Sequence, residues 1–354
     1  MAIFNKIHLS PSIFAAIGAA VFFGASTPII KLFIGTTSPI LIAGLLYLGS
    51  GVGLMLIKII RDKGWQLATL EIKDWLWLSG AITCGGILAP ILLMYGLTYT
   101  SSADASLLLN LEAVLTSTIA WVIFKENADK RIILGMILIV VGGILLSLQQ
   151  GKLAFNNLLG IGLIAGACLC WAIDNNLTRK VANSDVFFIA GSKGLFAGIV
   201  NICLACSIGA KFPQFDLVAI MLVCGFVGYG LSLLLFILAL RGLGTSRTGA
   251  YFSIAPFIGV VISILIFHDQ PSLMFWLATV FMACGVWLHL TEVHDHIHTH
   301  IEETHEHLHV HDEHHQHEHD FAYDGSIAHS HIHQHDELTH EHHHYPDAHH
   351  LHTH

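Results

Sequence analysis

The stretch Ser102-Ala-Asp-Ala-Ser-Leu-Leu-Leu-Asn-Leu-Glu-Ala113, followed by an apolar run that ends in Ile123-Phe-Lys-Glu126, has a counterpart later in the chain. The counterpart reads Thr245-Ser-Arg-Thr-Gly-Ala-Tyr-Phe-Ser-Ile-Ala-Pro256, and its run ends in Ile266-Phe-His-Asp269, at an offset of 143 residues. The first runs of the two halves align at an offset of about 148. The sequence therefore predicts an internal repeat.

Around these stretches the body of the chain consists of ten apolar runs, each long enough to cross a hydrocarbon core about 30 Å thick. The predicted spans are residues 12–33, 38–60, 75–98, 103–124, 132–148, 158–178, 186–208, 217–240, 247–267 and 272–290. Each half contains five spans, an odd number, so the halves are predicted to have opposite orientations. An inverted repeat of this kind is typical of secondary transporters, which bind substrate near the midplane.

The composition divides the chain into two regions of different character. Of 354 residues, 54% are hydrophobic and only 12% are charged, whereas a soluble domain carries about 25% charged residues. The segment 291–354 contains no Lys or Arg but holds 24 of the 27 His and 14 of the 25 acids. We therefore expect an all-α integral membrane protein with a separate tail. The predicted domains are a cytoplasmic N-terminus (1–11), two five-helix repeats (12–150 and 151–290) and the tail (291–354).

Basic residues predict the orientation in the bilayer. If the N-terminus is cytoplasmic, twelve Lys and Arg lie in inside segments and only Lys152 and Lys211 lie in outside loops. This bias follows the positive-inside rule. We expect a multi-pass protein of the inner or plasma membrane with both termini in the cytoplasm.

Several short motifs resemble those of the drug/metabolite transporter superfamily, in its EamA-like ten-helix branch. The motifs of the first half are Thr100-Ser-Ser-Ala103, Leu111-Glu-Ala-Val114, Phe124-Lys-Glu126, Gly135 and Gly142-Gly143. Those of the second half are Gly244-Thr-Ser246, Ala255-Pro256, Phe267-His-Asp269 and Gly285. The resemblance covers about residues 12–290 and implies export of a small metabolite or an amino acid. The family pattern reads Glu-Pro where this chain has Glu112-Ala113, so we expect the kink that Pro256 supplies in the second half to be absent from the first.

The strongest polar signal inside a span is Trp171-Ala-Ile-Asp-Asn-Asn-Leu-Thr-Arg-Lys180. Charged groups within a membrane are costly, so they face a cavity or pair with one another. Lys193 in the seventh run is a candidate partner of Asp174. One face of this helix is predicted to line a substrate pathway, with plain interhelical hydrogen bonding as the alternative. The pathway residues predicted in this half are Asp174, Asn175, Asn176, Arg179 and Lys193.

Three further pathway residues lie at helix interiors. Glu112 is near the midplane of the fourth run, where a carboxylate is paired, protonated, or a proton or cation site. The alternative is a neutral acid hydrogen-bonded to a neighbouring helix. Pro28 and Pro256 free backbone carbonyls, which line a cavity unless neighbouring helices satisfy them.

The sequence lacks the motifs of some classes of function. The chain has no G-x-x-x-x-G-K-[ST] phosphate loop, and no nucleophile–base pair stands out in a loop. We expect neither an enzyme nor a nucleic-acid partner. The oligomeric state is not predicted.

The tail repeats His-x-His with interspersed acids, a composition typical of metal-binding and disordered segments. Imidazole and carboxylate suit zinc, nickel or cobalt, although no cofactor is required. The predicted metal ligands are His294, His296, His298, His300, His305, His307, His309, His311, His314, His315, His317 and His319. A pH-responsive polyelectrolyte and a tail that docks on the basic loops are the alternatives.

These observations favour a secondary transporter that works by alternating access. The preferred substrate is a divalent transition metal, with the tail as metal ligand. The alternatives are a small-metabolite or amino-acid exporter with a regulatory tail, and a metal sensor that transports nothing. No His lies at the midplane, so a metal pathway would depend on carboxylates, amides and thiols.

Overall fold

A computed structural model describes residues 11–64, 70–123, 130–148, 155–181, 184–268, 270–291, 295–300, 303–309, 329–335 and 338–343. The chain divides into two units, Met1–Glu292 and Val293–His354. The described part of the first unit is helical. Its helices are α1 (Pro11–Lys31), α2 (Pro39–Arg61), α3 (Ile72–Ala81), α4 (Ala89–Tyr99), α5 (Ser102–Leu108), α6 (Leu111–Val122), α7 (Lys130–Leu148), α8 (Phe155–Val181), α9 (Val186–Ser207), α10 (Phe215–Gly225), α11 (Ser232–Phe252), α12 (Ala255–Phe267) and α13 (Leu273–Leu290).

Ten segments of the described chain are long and apolar enough to cross a membrane, as the sequence predicted. Two of these spans contain a π-helical segment. In span three, Ile82–Leu88 connects α3 to α4, and in span eight, Phe226–Leu231 connects α10 to α11. The two segments lie 144 residues apart, so the same irregularity occurs at the same place in each half.

Two other spans are interrupted, again at equivalent places. Span four breaks at Leu109 and Asn110, between α5 and α6, and the second break is at Ser253 and Ile254, between α11 and α12. The expectation of a kink in the second half alone was therefore wrong. No proline is needed at the first break because Asn110 Nδ2 donates to Leu107 O at 3.0 Å and competes with the backbone ladder.

The packing of the helices is symmetric between the halves. Helix α1 packs on α11 and α12, and the equivalent helix α8 packs on α4 and α6. The second span packs on the seventh through α2 and α9, and the fifth packs on the tenth through α7 and α13. Exchanging the halves leaves these pairings unchanged, which supports the internal repeat. The opposite orientation of the halves stays a prediction.

Helices α2 and α9 approach each other closely where they cross. A Cβ on Gly44 would lie 2.9 Å from the Ile202 backbone nitrogen, and one on Gly198 would lie 2.6 Å from Leu48 Cα. Real side chains do not tolerate such distances, so glycine is required at this crossing. Small residues of this kind allow membrane helices to pack backbone to backbone.

The described tail segments form strands, where the sequence analysis expected no regular structure. Strand β1 (Asp295–His300) pairs antiparallel with β4 (Leu338–His343), and β2 (Glu303–His309) pairs antiparallel with β3 (His329–His335). The His-x-His alternation has the two-residue period of a strand, whereas composition alone carries no information on period.

Candidate functional site

A cluster of polar side chains lies inside the helical bundle and connects spans four, six and seven. We call it the central polar cluster. Its members are Glu112, Thr116, Asp174, Asn175, Asn176, Thr178 and Lys193. It contains five of the eight residues that the sequence predicted for the substrate pathway.

The first part of the cluster is a buried ion pair. Lys193 Nζ lies 2.5 Å from Asp174 Oδ1, and the side chains are 2% and 7% exposed. Thr178 Oγ1 donates to Asp174 Oδ1 at 2.8 Å and accepts from Lys193 Nζ at 3.0 Å. The predicted contact between Lys193 and Asp174 is therefore present. Because either charge alone would be buried without a counter-charge, each residue requires the other.

The second part of the cluster joins the two halves. Asn175 Nδ2, on α8, donates to Glu112 Oε1 on α6 at 2.8 Å. Asn176 Nδ2 donates to Ala172 O at 2.9 Å and to Thr116 O at 3.4 Å. Glu112 lies in the first turn of α6, directly after the break in span four.

The π-helical segment Ile82–Leu88 borders the ion pair. Gly85 O accepts hydrogen bonds from Tyr47 Oη at 2.6 Å and from Trp171 Nε1 at 3.1 Å. A Cβ on Gly85 would lie 2.6 Å from Asp174 Cβ, so glycine makes room for the acid. π-Helical turns often occur at functional sites because they change the backbone hydrogen-bond register.

The equivalent position in the other half has different chemistry. Gly228 lies in the second π-helical segment, and a Cβ placed on it would lie 2.6 Å from Ser26 Cβ. Ser26 is the repeat equivalent of Asp174, at the offset of 148. Its hydroxyl donates to Phe23 O at 2.6 Å. The backbone structure is therefore repeated at these equivalent positions, whereas the charged side chain occurs in the second half alone.

The other predicted pathway residues lie elsewhere. Pro28 lies inside α1, and Pro256 lies in the first turn of α12. The carbonyl that Pro28 leaves without its helical donor is Gly24 O, and a Cβ on Gly259 of α12 would lie 3.0 Å from it. Both prolines therefore belong to the crossing of α1 and α12. Arg179 is half-buried in the last turn of α8, as expected for a residue near the interface.

An ion-pair network ties the end of span two to the start of span seven. Arg61 donates to Asp185 and, at 2.6 Å, to Asp62 Oδ1, and Lys58 Nζ lies 2.5 Å from Asp62 Oδ2. The hydrogen bonds from Arg61 and then Lys58 lower the pKa of Asp62 to about 2. Partial burial acts to raise the pKa of Asp185, but hydrogen bonds from Arg61 and the Phe188 amide outweigh it and hold the pKa below its ordinary value.

Several residues of the site are absent from the predicted pathway residues, although Trp171 and Thr178 lie within the polar stretch 171–180. Tyr47, Trp171 and Thr178 contact the cluster or the carbonyl beside it, and Asn201 Nδ2 donates to Gly86 O at 3.2 Å. An aromatic residue within an apolar run gives no signal that separates a site from ordinary packing. Asn201 was detectable as a buried amide in a span.

The predicted metal ligands fall in the tail. The structure describes the backbone at His296, His298, His300, His305, His307 and His309, while His294, His311, His314, His315, His317 and His319 lie outside the described residues. In the register of β2 and β3, His305 is opposite His333 and His307 is opposite His331. In the described residues with placed side chains, no three His, Cys, Asp or Glu come together as a metal site.

Comparisons with known proteins agree with this architecture. The profile of the EamA-like transporter family matches residues 10–148 and, separately, 158–291. An "Uncharacterized transporter" of Methanothermobacter thermautotrophicus is 28% identical over 291 residues, which cover 77% of this chain and 84% of the relative. The "Uncharacterized transporter YyaM" of Bacillus subtilis is 25% identical over 257 residues, covering 70% and 83%.

A solved crystal structure shares the fold, with a TM-score of 0.63 at 15% identity over 79% of this chain and 95% of that one. Each half of the body thus matches the family on its own, and each matched range contains five of the membrane-length segments. The chain belongs to the EamA-like transporter family.

Proposed function

We propose that the protein moves a small organic solute across the membrane by alternating access, and that the central polar cluster binds the solute. One observation carries the proposal. A buried, charged cluster inside spans four, six and seven joins the two halves, beside the break in span four. In secondary transporters, broken helices at the interface of the repeats form the substrate site. Charged groups at this depth are costly and mark substrate or ion pathways.

The geometry of the body favours an organic solute over nickel, cobalt or zinc. A transition metal requires several imidazole, thiolate or carboxylate ligands around one point. The cluster offers two carboxylates, and one of them is engaged by Lys193 at 2.5 Å. An ammonium group at that distance repels a divalent cation. We still propose that the tail binds zinc, nickel or cobalt, because the strand register sets its histidines opposite one another.

The orientation belongs to the same proposal. Twelve basic residues on one side against two on the other support a cytoplasmic position for both termini. A cysteine introduced at exposed Lys63 should then react with an impermeant maleimide only after the cells are opened. One at exposed Gly209 should react in intact cells.

Counterflow in proteoliposomes tests the proposal. Proteoliposomes that contain the purified full-length protein are loaded with one unlabelled solute at a time. Uptake of the labelled form is then measured for an amine, an amino acid, a carboxylic acid and Ni²⁺. We expect saturable uptake of at least one organic solute, which Glu112→Gln and Asp174→Asn abolish. The control is Asp216→Asn, an equivalent exchange at an exposed carboxylate of α10. Absence of organic uptake, or unchanged uptake in both site variants, would overturn the proposal.

A further inference from the structure

Four aromatic rings lie next to the central polar cluster and come from spans of both halves. They are Phe23, Tyr47, Trp171 and Tyr229, and we call them the aromatic cluster. The Phe23 centroid is 5.6 Å from that of Trp171 and 5.7 Å from that of Tyr229, and the Tyr47 and Tyr229 centroids are 5.3 Å apart. All four rings are buried.

The aromatic cluster and the central polar cluster share one boundary. Tyr47 and Trp171 both donate to Gly85 O, and Gly85 packs against Asp174. Trp171 lies one helical turn before Asn175, so both face the same side of α8. Asn175 in turn donates to Glu112 at 2.8 Å. A solute at this boundary would touch rings on one side and carboxylates on the other.

The boundary carries two carboxyl groups and one ammonium group. Glu112 and Asp174 are two carboxylates, and Lys193 is paired with Asp174 at 2.5 Å and donates to Thr178 at 3.0 Å. Among the described residues, Glu112 has no ion-pair partner; its hydrogen-bond partner there is the neutral amide of Asn175. With both acids ionised, one negative charge is left without compensation.

A hydrogen-bond acceptor on the next residue of α8 also lacks a donor. Asn176 is 2% exposed, and its Oδ1 accepts no hydrogen bond from the described residues, although its Nδ2 is bound on both sides. Buried acceptors rarely stay unsatisfied, so the position suits a ligand that brings N–H groups.

We propose that the solute is a small organic amine, carried as its ammonium ion. Its ammonium binds at Glu112 and Asn176 Oδ1, and its apolar part packs on the rings of Phe23, Trp171 and Tyr229. A negative, aromatic-walled, water-poor site attracts an ammonium through its charge and through the faces of the rings. The rings pack on one another in this structure, so a passing solute exchanges ring–ring contacts for ring–ammonium contacts. The inference rests on the proposed function and specifies its substrate class.

The same geometry disfavours the parent amino acid. A substrate carboxylate would lie near Glu112, and the cation of the cluster is already held by Asp174. An unpaired, repelled charge in a buried site is the means by which a protein rejects a close analogue. Loss of one carboxylate from the solute should therefore change recognition strongly.

Three probes with the same phenyl group separate these cases: phenethylamine, phenylalanine and phenylpropionate. Equilibrium binding of each labelled probe to purified full-length protein is measured at pH 7. We expect the amine to bind about tenfold or more tightly than the other two, the factor that corresponds to 1.4 kcal/mol. Glu112→Gln should abolish binding, and Trp171→Leu should weaken it more than Trp171→Phe does. Asp216→Asn should leave binding unchanged.

Two outcomes overturn the inference and leave the proposed function standing. One is saturable counterflow of phenylalanine or phenylpropionate without amine binding. The other is amine binding that Glu112→Gln and Trp171→Leu do not change. Failure of every organic solute in counterflow overturns the proposed function as well. Gel filtration of each variant establishes that a loss of binding is not a loss of folding.

Discussion

At the scale of single residues, Asp174 and Lys193 are a unit. Their side chains are almost completely buried, and Thr178 bonds to both. Breaking a buried ion pair by removing one partner costs about 3–5 kcal/mol, whereas replacing both can be neutral. The stability of the bundle therefore depends on having both residues or neither.

A double-variant cycle tests this dependence. We expect Lys193→Met alone and Asp174→Asn alone to lower the melting temperature in detergent, by the equivalent of about 3 kcal/mol each. The double variant should recover most of that loss while remaining inactive in transport. Additive losses in the double variant would show that the two residues act independently.

The network at Asp185 and Asp62 has a defined pH dependence. Both folded pKa values lie below the ordinary value of 3.8, so the stabilisation is complete above pH 3.8 and is lost as the pH falls towards the folded values. Asp185→Asn should lower stability by about 0.2–1 kcal/mol at pH 7, as is typical for exposed pairs. Melting curves should show the same difference at pH 5 and a smaller one at pH 3.5. A difference that grows on acidification would contradict the assignment.

The sequence predicted part of this site for a physical reason. A lysine inside a span requires a counter-charge, because an unpaired buried charge is costly in free energy. Asp174 was the candidate acid on the neighbouring span, so the contact could be predicted. The link from Asn175 to Glu112 did not follow, because it depends on how α8 crosses α6. Tyr47 and Trp171 were hidden because an aromatic side chain is equally suited to packing.

At the scale of elements, the irregular segments carry the site. The π-helical segment presents Gly85 O to two donors, and the break in span four places Glu112 at a helix start. The ten spans were predictable because hydrophobic length is local information. The break at Leu109 and Asn110 was not, because a single amide that bonds back to the chain replaces the proline signal.

Glycine substitutions distinguish site from scaffold. Gly85→Ala should cost about 1–3 kcal/mol and abolish transport, because the new Cβ would lie 2.6 Å from Asp174 Cβ and must displace the acid. Gly162→Ala is the matched control on α8, since its Cβ would meet no atom within 4 Å. The control should gain about 0.5–1 kcal/mol in helix stability and keep transport. Thermal melting and counterflow of both variants provide the comparison, and equal behaviour would contradict the close packing at Gly85.

At the scale of the whole molecule, the repeat is symmetric in fold and asymmetric in charge. The halves share the pattern of π-helical segments, breaks and helix pairings. Asp174 has Ser26 as its equivalent, so the two halves carry different charges at equivalent positions. A symmetric fold suits alternation between an inward-open and an outward-open state of similar structure. A single charged site would let both states bind the same solute.

The tail provides the last whole-molecule prediction, because residues 293–354 form a unit of their own with 24 of the 27 histidines. At about four ligands per ion, the tail has imidazoles for about six zinc ions. A chain that ends at Glu292 should lose this binding and keep counterflow of the organic solute. Bound zinc, measured after gel filtration, should fall between pH 7.5 and 5.5, because protons compete for imidazole. Equal zinc content in both chains would locate the metal sites in the helical body instead, and would return a transition metal to consideration as the transported substrate.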